Sequence, residues 1–230
     1  MRRSYAAYAA GAVAAAVSAV FVAPAGTSVG NAALRGGSSI ASLRGSTLAL
    51  HARPGSPTVS AVVSSRTEFG SRTSLPVVRA HGAWLEVIST KLRNGEHGFV
   101  RRGQVFLVRD PLAIDVDLSG RLLRVWRHGA IVLRAPVAIG AAGSPTPIGR
   151  FGVTDKLTGL NPAAYGCCIL ALSGHQTHLP PGWTGGDRLA IHGGGGIGTA
   201  ASSGCLHASE ANLRWLMRRV PLGTQVVIHP

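Results

Sequence analysis

Ile191-His192-Gly193-Gly194-Gly195-Gly196-Ile197-Gly198-Thr199-Ala200-Ala201-Ser202-Ser203-Gly204-Cys205-Leu206-His207 sets the reading of the whole chain. Arg188 to His192 is a short β-type run, so His192 falls at a strand end. Cys205 follows thirteen residues later, between Gly204 and the start of a predicted helix. The thiolate is the reactive form of cysteine, so a nucleophilic cysteine needs a base and a local field that favours negative charge. His192 becomes that base if the glycine-rich segment folds back. Ser209, four residues past Cys205, caps a helix whose first amides favour a thiolate and an oxyanion. The bland alternative is a core filler, since free cysteines are among the most buried residues. A site between a glycine and a polar helix start suits that role poorly.

These residues resemble the catalytic domain of the L,D-transpeptidases (YkuD-type), a family that remodels bacterial peptidoglycan. The family pattern is a histidine, a variable loop, then Ser/Thr-His-Gly-Cys, an aliphatic residue and usually arginine. Ser202, Gly204, Cys205 and Leu206 match it, and His192 fits the upstream histidine. Ser203 stands where the family usually has a second histidine, and His207 where it usually has arginine. Ser144-Pro145-Thr146-Pro147-Ile148-Gly149-Arg150-Phe151 resembles the family's Thr-Pro-x-Gly-x-Phe segment. Gly186 to His192 resembles its strand into the active site, and Val220 to Ile228 its closing turn and strand. The resemblance spans residues 110 to 230 in family order, far more than a lone Cys/His pair.

The resemblance implies cysteine-dependent acyl transfer on peptidoglycan stem peptides, giving 3→3 cross-links with release of D-alanine. Water as acceptor would make the same site an L,D-carboxypeptidase, and carbapenems would acylate it. Cys205 is then the nucleophile and His192 the base, with Gly204, Ser203, Ser202, Gly193 and His207 around the oxyanion and substrate. No metal and no cofactor is implied. A histidine is mostly neutral near pH 7, so His207 is expected to hold a stem carboxylate more strongly in mildly acidic solution. The rival reading is a wall-binding protein with an impaired site.

Composition fits export. Met1-Arg2-Arg3 is a basic start, followed from Tyr5 to Ala23 by an uncharged Ala/Val-rich stretch, with small residues at Ala23-Pro24-Ala25. Residues 1–25 therefore read as a signal peptide, the rival being an uncleaved membrane anchor. Either way the remainder faces outside the cytoplasm, in the cell wall, periplasmic space or medium. Charge is uneven: residues 1–109 hold 13 Lys/Arg against 3 Asp/Glu, and residues 110–230 hold 10 against 6. Such a balance draws a protein towards acidic wall polymers or lipid headgroups. Nucleic acid is not expected as a partner, because the chain offers no recognition helix, RNA-stacking motif or zinc finger.

Residues 26–45, rich in Gly, Ser and Ala, read as a linker. Residues 46–108 show five short β-type runs, with Asn94-Gly95 as a turn before the last. Trp84-Leu85-Glu86-Val87 followed by Asn94-Gly95 and Gly98-Phe99-Val100 resembles a bacterial SH3-like module. From residue 110 the pattern is mostly β: alternating Leu112, Ile114, Val116 and Leu118 predict a half-buried strand, and further runs follow to Thr224–His229. One helix is predicted from Ser209 to Val220, with Leu213, Leu216, Met217 and Val220 on one face. The expected fold is mainly β: a small SH3-like barrel, then a sandwich- or barrel-like catalytic domain with one C-terminal helix, as a monomer.

Gly193 to Gly196 could also be a lipase-type oxyanion loop, but no Gly-x-Ser-x-Gly elbow accompanies it. Cys167, Cys168, His175 and His178 match no zinc-binding spacing. With Cys205 kept free, Cys167 and Cys168 are either a vicinal bridge or two reduced thiols, and both alternatives stay open.

Overall fold

The computed structural model describes residues 37–160 and 162–230; the export segment and the first part of the expected linker lie outside them. The first sheet holds β1 (Ser38–Leu43), β2 (Thr47–His51), β3 (Val59–Ser64), β4 (Ser74–His81), β5 (Trp84–Val87), β6 (Gly98–Arg101) and β7 (Val105–Asp110). They lie in the order β3-β2-β6-β5-β4-β1-β7. Leu48, Leu50, Leu85, Val87 and Val100 form its core, each alternating with a more exposed neighbour as a half-covered sheet requires.

Two of these strands depart from the sequence reading. Residues 38–43 were expected as linker, yet they pair with β4 on one side and β7 on the other. Ile40, Ala41 and Leu43 are buried there while the serines carry the rest of the strand. Serine content hid an apolar set short enough to read as a linker. The module accordingly has seven strands rather than five.

The second sheet holds β8 (Leu112–Asp117), β9 (Leu122–Arg127), β10 (Ala130–Pro136), β12 (Gly149–Thr158), β13 (Cys168–His175), β14 (Arg188–His192), β16 (Leu206–His207) and β17 (Gln225–His229). Its order is β10-β9-β8-β17-β12-β13-β14-β16, with a small parallel pair of β11 (Ile139–Gly140) and β15 (Ala200–Ser202) beside it. β8 is not half-buried as predicted: Leu112 to Val116 are all buried. It sits inside the sheet between β9 and β17, and both faces are covered. Asp115 survives there because Arg124 (3.1 Å) and His229 (3.0 Å) both meet its carboxylate.

Among the described residues the α-helices are a short α1 (Pro162–Tyr165) and α2 (Glu210–Arg219). Ser209 Oγ accepts from Asn212 N (3.3 Å) and caps α2, as its sequence predicted. Leu213, Leu216 and Val220 are fully buried, each contributing about 1.5–3 kcal/mol of burial. That face seats α2 on β13 and holds the segment before it, residues 202–208, against β14. Among the described residues no helix is long and apolar enough to cross a membrane.

Candidate active site

β14 and β16 run parallel and adjacent, with Ile191 opposite Leu206 and His192 opposite His207. A chain that leaves one strand and returns to run parallel beside it must cross over, and here residues 193–205 do so. Two glycines permit the tight fit. At Gly194 (φ +154°) an added Cβ would lie 2.6 Å from His207 Nδ1; at Gly204 (φ +112°) it would lie 1.8 Å from Gln176 Nε2.

His192 is 6% exposed. Its Nδ1 lies 2.5 Å from Gly193 O. A carbonyl only accepts, so Nδ1 carries the proton and Nε2 is the basic nitrogen. Gly193 is itself pinned, its N–H donating to Tyr165 O (2.7 Å). The Tyr165 ring meets the imidazole edge-on at 5.0 Å, and the His207 ring lies 4.7 Å away. Burial pushes the His192 pKa down to about 4; the bond to Gly193 opposes this and His207 adds to it. At pH 7 His192 is a neutral, oriented imidazole.

Cys205 is the free cysteine, because Cys167 and Cys168 are joined as a vicinal disulfide. Of the two alternatives left open by the sequence, the structure holds the bridge. The Cys205 Sγ–H points to Arg188 O at 3.9 Å. Burial pushes its thiol pKa up, while the Ala190 N–H pulls it down. The resting pair is thus a neutral thiol beside a neutral imidazole. Among the described residues the two share a cleft without a direct hydrogen bond to each other.

The backbone around the thiol is tied down carbonyl by carbonyl. Ser203 O accepts from Gln176 Nε2 (3.1 Å), Gly204 O from Thr146 Oγ1 (2.9 Å), and Cys205 O from Ser202 Oγ (2.6 Å). Gln176 Nε2 also reaches Pro145 O (3.0 Å), and Thr146 Oγ1 accepts from Gly140 N (2.8 Å). With the carbonyls turned away, amides are what the loop has left to offer an oxyanion. The Gly204 N–H is already donated to Ser202 Oγ (3.1 Å), so the amide of Cys205 is the better candidate.

Five residues singled out in sequence line one cleft of about 480 Å³: Cys205, His192, His207, Ser202 and Ser203. Gly193 and Gly204 sit behind it with their amides engaged. Gly193 orients His192, and Ser202 staples the loop. The His207 Nδ1 lies 2.9 Å from Gly195 O, which leaves its other nitrogen for the cleft. Sequence reasoning missed Tyr165, Gln176 and Arg188. Thr146 lay within the quoted Ser144–Phe151 segment, so a signal existed for it; Gln176 had none.

Comparison with known proteins identifies the family of the second domain. Residues 111–228 match the L,D-transpeptidase catalytic domain family, YkuD. The chain belongs to that family. A Bacillus licheniformis protein that carries the name of an L,D-transpeptidase, YkuD, is 32% identical over 124 residues, covering 52% of this chain and 67% of the relative. Solved structures of similar fold include the L,D-transpeptidase LdtMt1 in complex with imipenem (18% identity, 84% of this chain and 82% of that one, TM-score 0.44). Others are an L,D-transpeptidase from Mycobacterium smegmatis (17%, 68% and 82%, 0.43) and Bdellovibrio bacteriovorus Bd1075 (20%, 52% and 48%, 0.41). The match spans about half the length of the Bdellovibrio protein. L,D-transpeptidases are acyl-transferring enzymes of the cell wall, and this member keeps the mainly β architecture expected of one.

Proposed function

We propose that this L,D-transpeptidase-family protein is an active, cysteine-dependent acyltransferase on peptidoglycan stem peptides, exported to the cell wall. The observation that carries the proposal is His192: a buried, neutral imidazole whose Nδ1–H is held by Gly193 O, in one cleft with the free thiol of Cys205. The Sγ–H turns from Arg188 O towards Nε2, and His192 takes the proton as sulfur attacks the carbonyl of the third stem residue. The amide of Cys205 supports the oxyanion. The intermediate collapses by breaking the bond to D-alanine, whose amine leaves with the proton from His192. A side-chain amine of a neighbouring stem then attacks the thioester, giving its proton to His192, and the free thiol returns with the 3→3 cross-link. Water in place of the amine gives L,D-carboxypeptidase activity.

His207 supports the proposal in a narrower way. It lines the cleft where the family's arginine would stand, so it is the group for a stem carboxylate. Intact-mass spectrometry of the full chain with a carbapenem tests the whole scheme. A single covalent adduct, absent in Cys205→Ala and slowed in His192→Ala, is the expected result. No adduct on folded wild-type protein would overturn it and favour a wall-binding protein with an impaired site.

A further inference from the structure

Cys205 is linked to the first sheet through one residue. Arg188 opens β14, and its carbonyl receives the Cys205 Sγ–H. Its guanidinium reaches in the other direction. Nε and Nη2 donate to Leu172 O (3.1 and 2.7 Å), Nη2 also to Thr154 Oγ1 (2.7 Å), and Nη1 pairs with the carboxylate of Glu68. Glu68 belongs to the turn between β3 and β4, so this ion pair crosses from one sheet to the other.

The next residue, Phe69, lines the same cleft as Cys205 and His192. Its ring lies 5.8 Å from the Arg188 guanidinium carbon and is 45% exposed. The turn carrying both residues is held in shape. Thr67 Oγ1 donates to Asp155 Oδ1 on β12 (2.5 Å) and accepts from Ser71 N (3.1 Å), while Gly70 N closes onto Thr67 O (3.0 Å).

The first sheet also grips His175, the residue opposite Arg188 where β13 pairs with β14. Asn94 Nδ2 donates to His175 O (2.7 Å) and Asn94 Oδ1 accepts from His175 N (2.9 Å), so one amide side chain imitates a strand partner. Thr90 O meets His175 Nε2 at 2.9 Å. The segment from Gln176 to Asp187, which supplies Leu179 and Trp183 to the cleft, therefore has both flanking residues, His175 and Arg188, fastened to the first sheet.

From this geometry we infer that the first sheet completes the acyl-donor site. Glu68 is a positioning residue that acts on Cys205 through Arg188, and Phe69 is a specificity residue against which an uncharged part of the donor lies. The charge follows from the neighbours. Glu68 already neutralises Arg188, and Trp183, whose indole N–H donates to Gly186 O (3.1 Å) just before Arg188, adds a second aromatic ring to the cleft, so an anionic group gains nothing there. This rests on the acyltransferase reading of the same cleft and adds to it which part of the chain selects the donor.

If the Glu68–Arg188 pair were only glue between sheets, its loss would lower the melting temperature and leave the thiol unchanged. The full chain is compared with Glu68→Gln, Phe69→Ala and Phe69→Leu, using two readouts. The first is the pH profile of Cys205 alkylation by iodoacetamide, which requires no acyl-transfer activity. The second is KM and kcat with a stem tetrapeptide donor.

In Glu68→Gln the guanidinium loses its counter-charge. The alkylation midpoint is expected to move to lower pH by at least about half a unit, and kcat to fall about tenfold at unchanged KM. Phe69→Ala is expected to raise KM about fivefold with kcat and alkylation within about twofold of wild type, and Phe69→Leu to recover most of the loss. An alkylation profile and kcat of Glu68→Gln that match wild type, or an unchanged KM in Phe69→Ala, overturns the corresponding assignment. A wild-type chain that alkylates normally but turns over no donor would instead sink the acyltransferase reading, and the alkylation profiles would still decide Glu68.

Discussion

The depressed pKa of His192 makes a prediction about where activity ends in acid. A base must be unprotonated, and for His192 burial is the main reason it stays so down to about pH 4. At pH 5.5 a group with pKa near 4 is about 97% neutral, whereas an unperturbed histidine near 6.5 is only about 9% neutral. The two cases differ about tenfold in rate at that pH, well outside experimental scatter. The assay is the second-order rate of carbapenem acylation, followed by intact mass from pH 4 to 9. The expected profile is flat from about pH 5 upward with an acid limb near 4. Tyr165, edge-on to the imidazole, is one of the groups that keep water away from it. Tyr165→Ala should hydrate the ring and carry the limb up towards 6.5, so that the variant loses most of its rate at pH 5.5 and little at pH 7.5. A wild-type half-maximum between pH 6 and 7 would refute a desolvated base. A limb unmoved in Tyr165→Ala would refute the ring's part in that desolvation.

The same shift has a stability consequence. The folded pKa of His192 lies below its unfolded value, so its contribution is full above about pH 6.5 and is lost as pH falls towards 4. It amounts to about 3 kcal/mol, and urea unfolding of His192→Gln should show a pH dependence over that window flatter by about this amount. Gly204→Ala drives a Cβ into the Gln176 amide at a positive φ; about 2–4 kcal/mol of stability should be lost in thermal melts, along with carbapenem acylation. Titration of the denatured protein should find one free thiol before reduction and three after, since Cys167 and Cys168 are bridged. His207→Arg puts a permanent charge into the cleft and should lower the donor KM; an unchanged KM would remove His207 from carboxylate capture.

What the sequence revealed of the site was its local part. A strand end at His192, a glycine before Cys205, a cap at Ser209 and an apolar stripe on α2 are each encoded within a few residues, and each is found in place. The missed features have a common cause. Gln176 supports a carbonyl 27 positions away, Thr146 one 58 away, and Glu68 an arginine 120 away. A glutamine in a loop carries no pattern that announces three carbonyls, those of Ser144, Pro145 and Ser203, converging on its amide, because the pattern exists only after the sheets have formed. The seven-strand sheet was under-read for the same reason. β1 gains its place from β4 and β7 on either side, and its serines gave no strong propensity of their own.

This division also separates two kinds of control over the thiol. Short-range bonds set what Cys205 is: Ser202 ties its carbonyl, and Gly193 fixes the tautomer of its partner. Long-range bonds set where it points, since Arg188 O holds the Sγ–H while Gln176 and Thr146 hold the two preceding carbonyls. A lost short-range bond should impair the proton transfer itself. Loss of a long-range one should leave the chemistry possible but less often aligned, a fall in rate with an unchanged acid limb. Gln176→Ala provides the test. Its acylation rate should fall at every pH while its acid limb stays with that of wild type, and a displaced limb would show that the long-range bonds tune His192 as well.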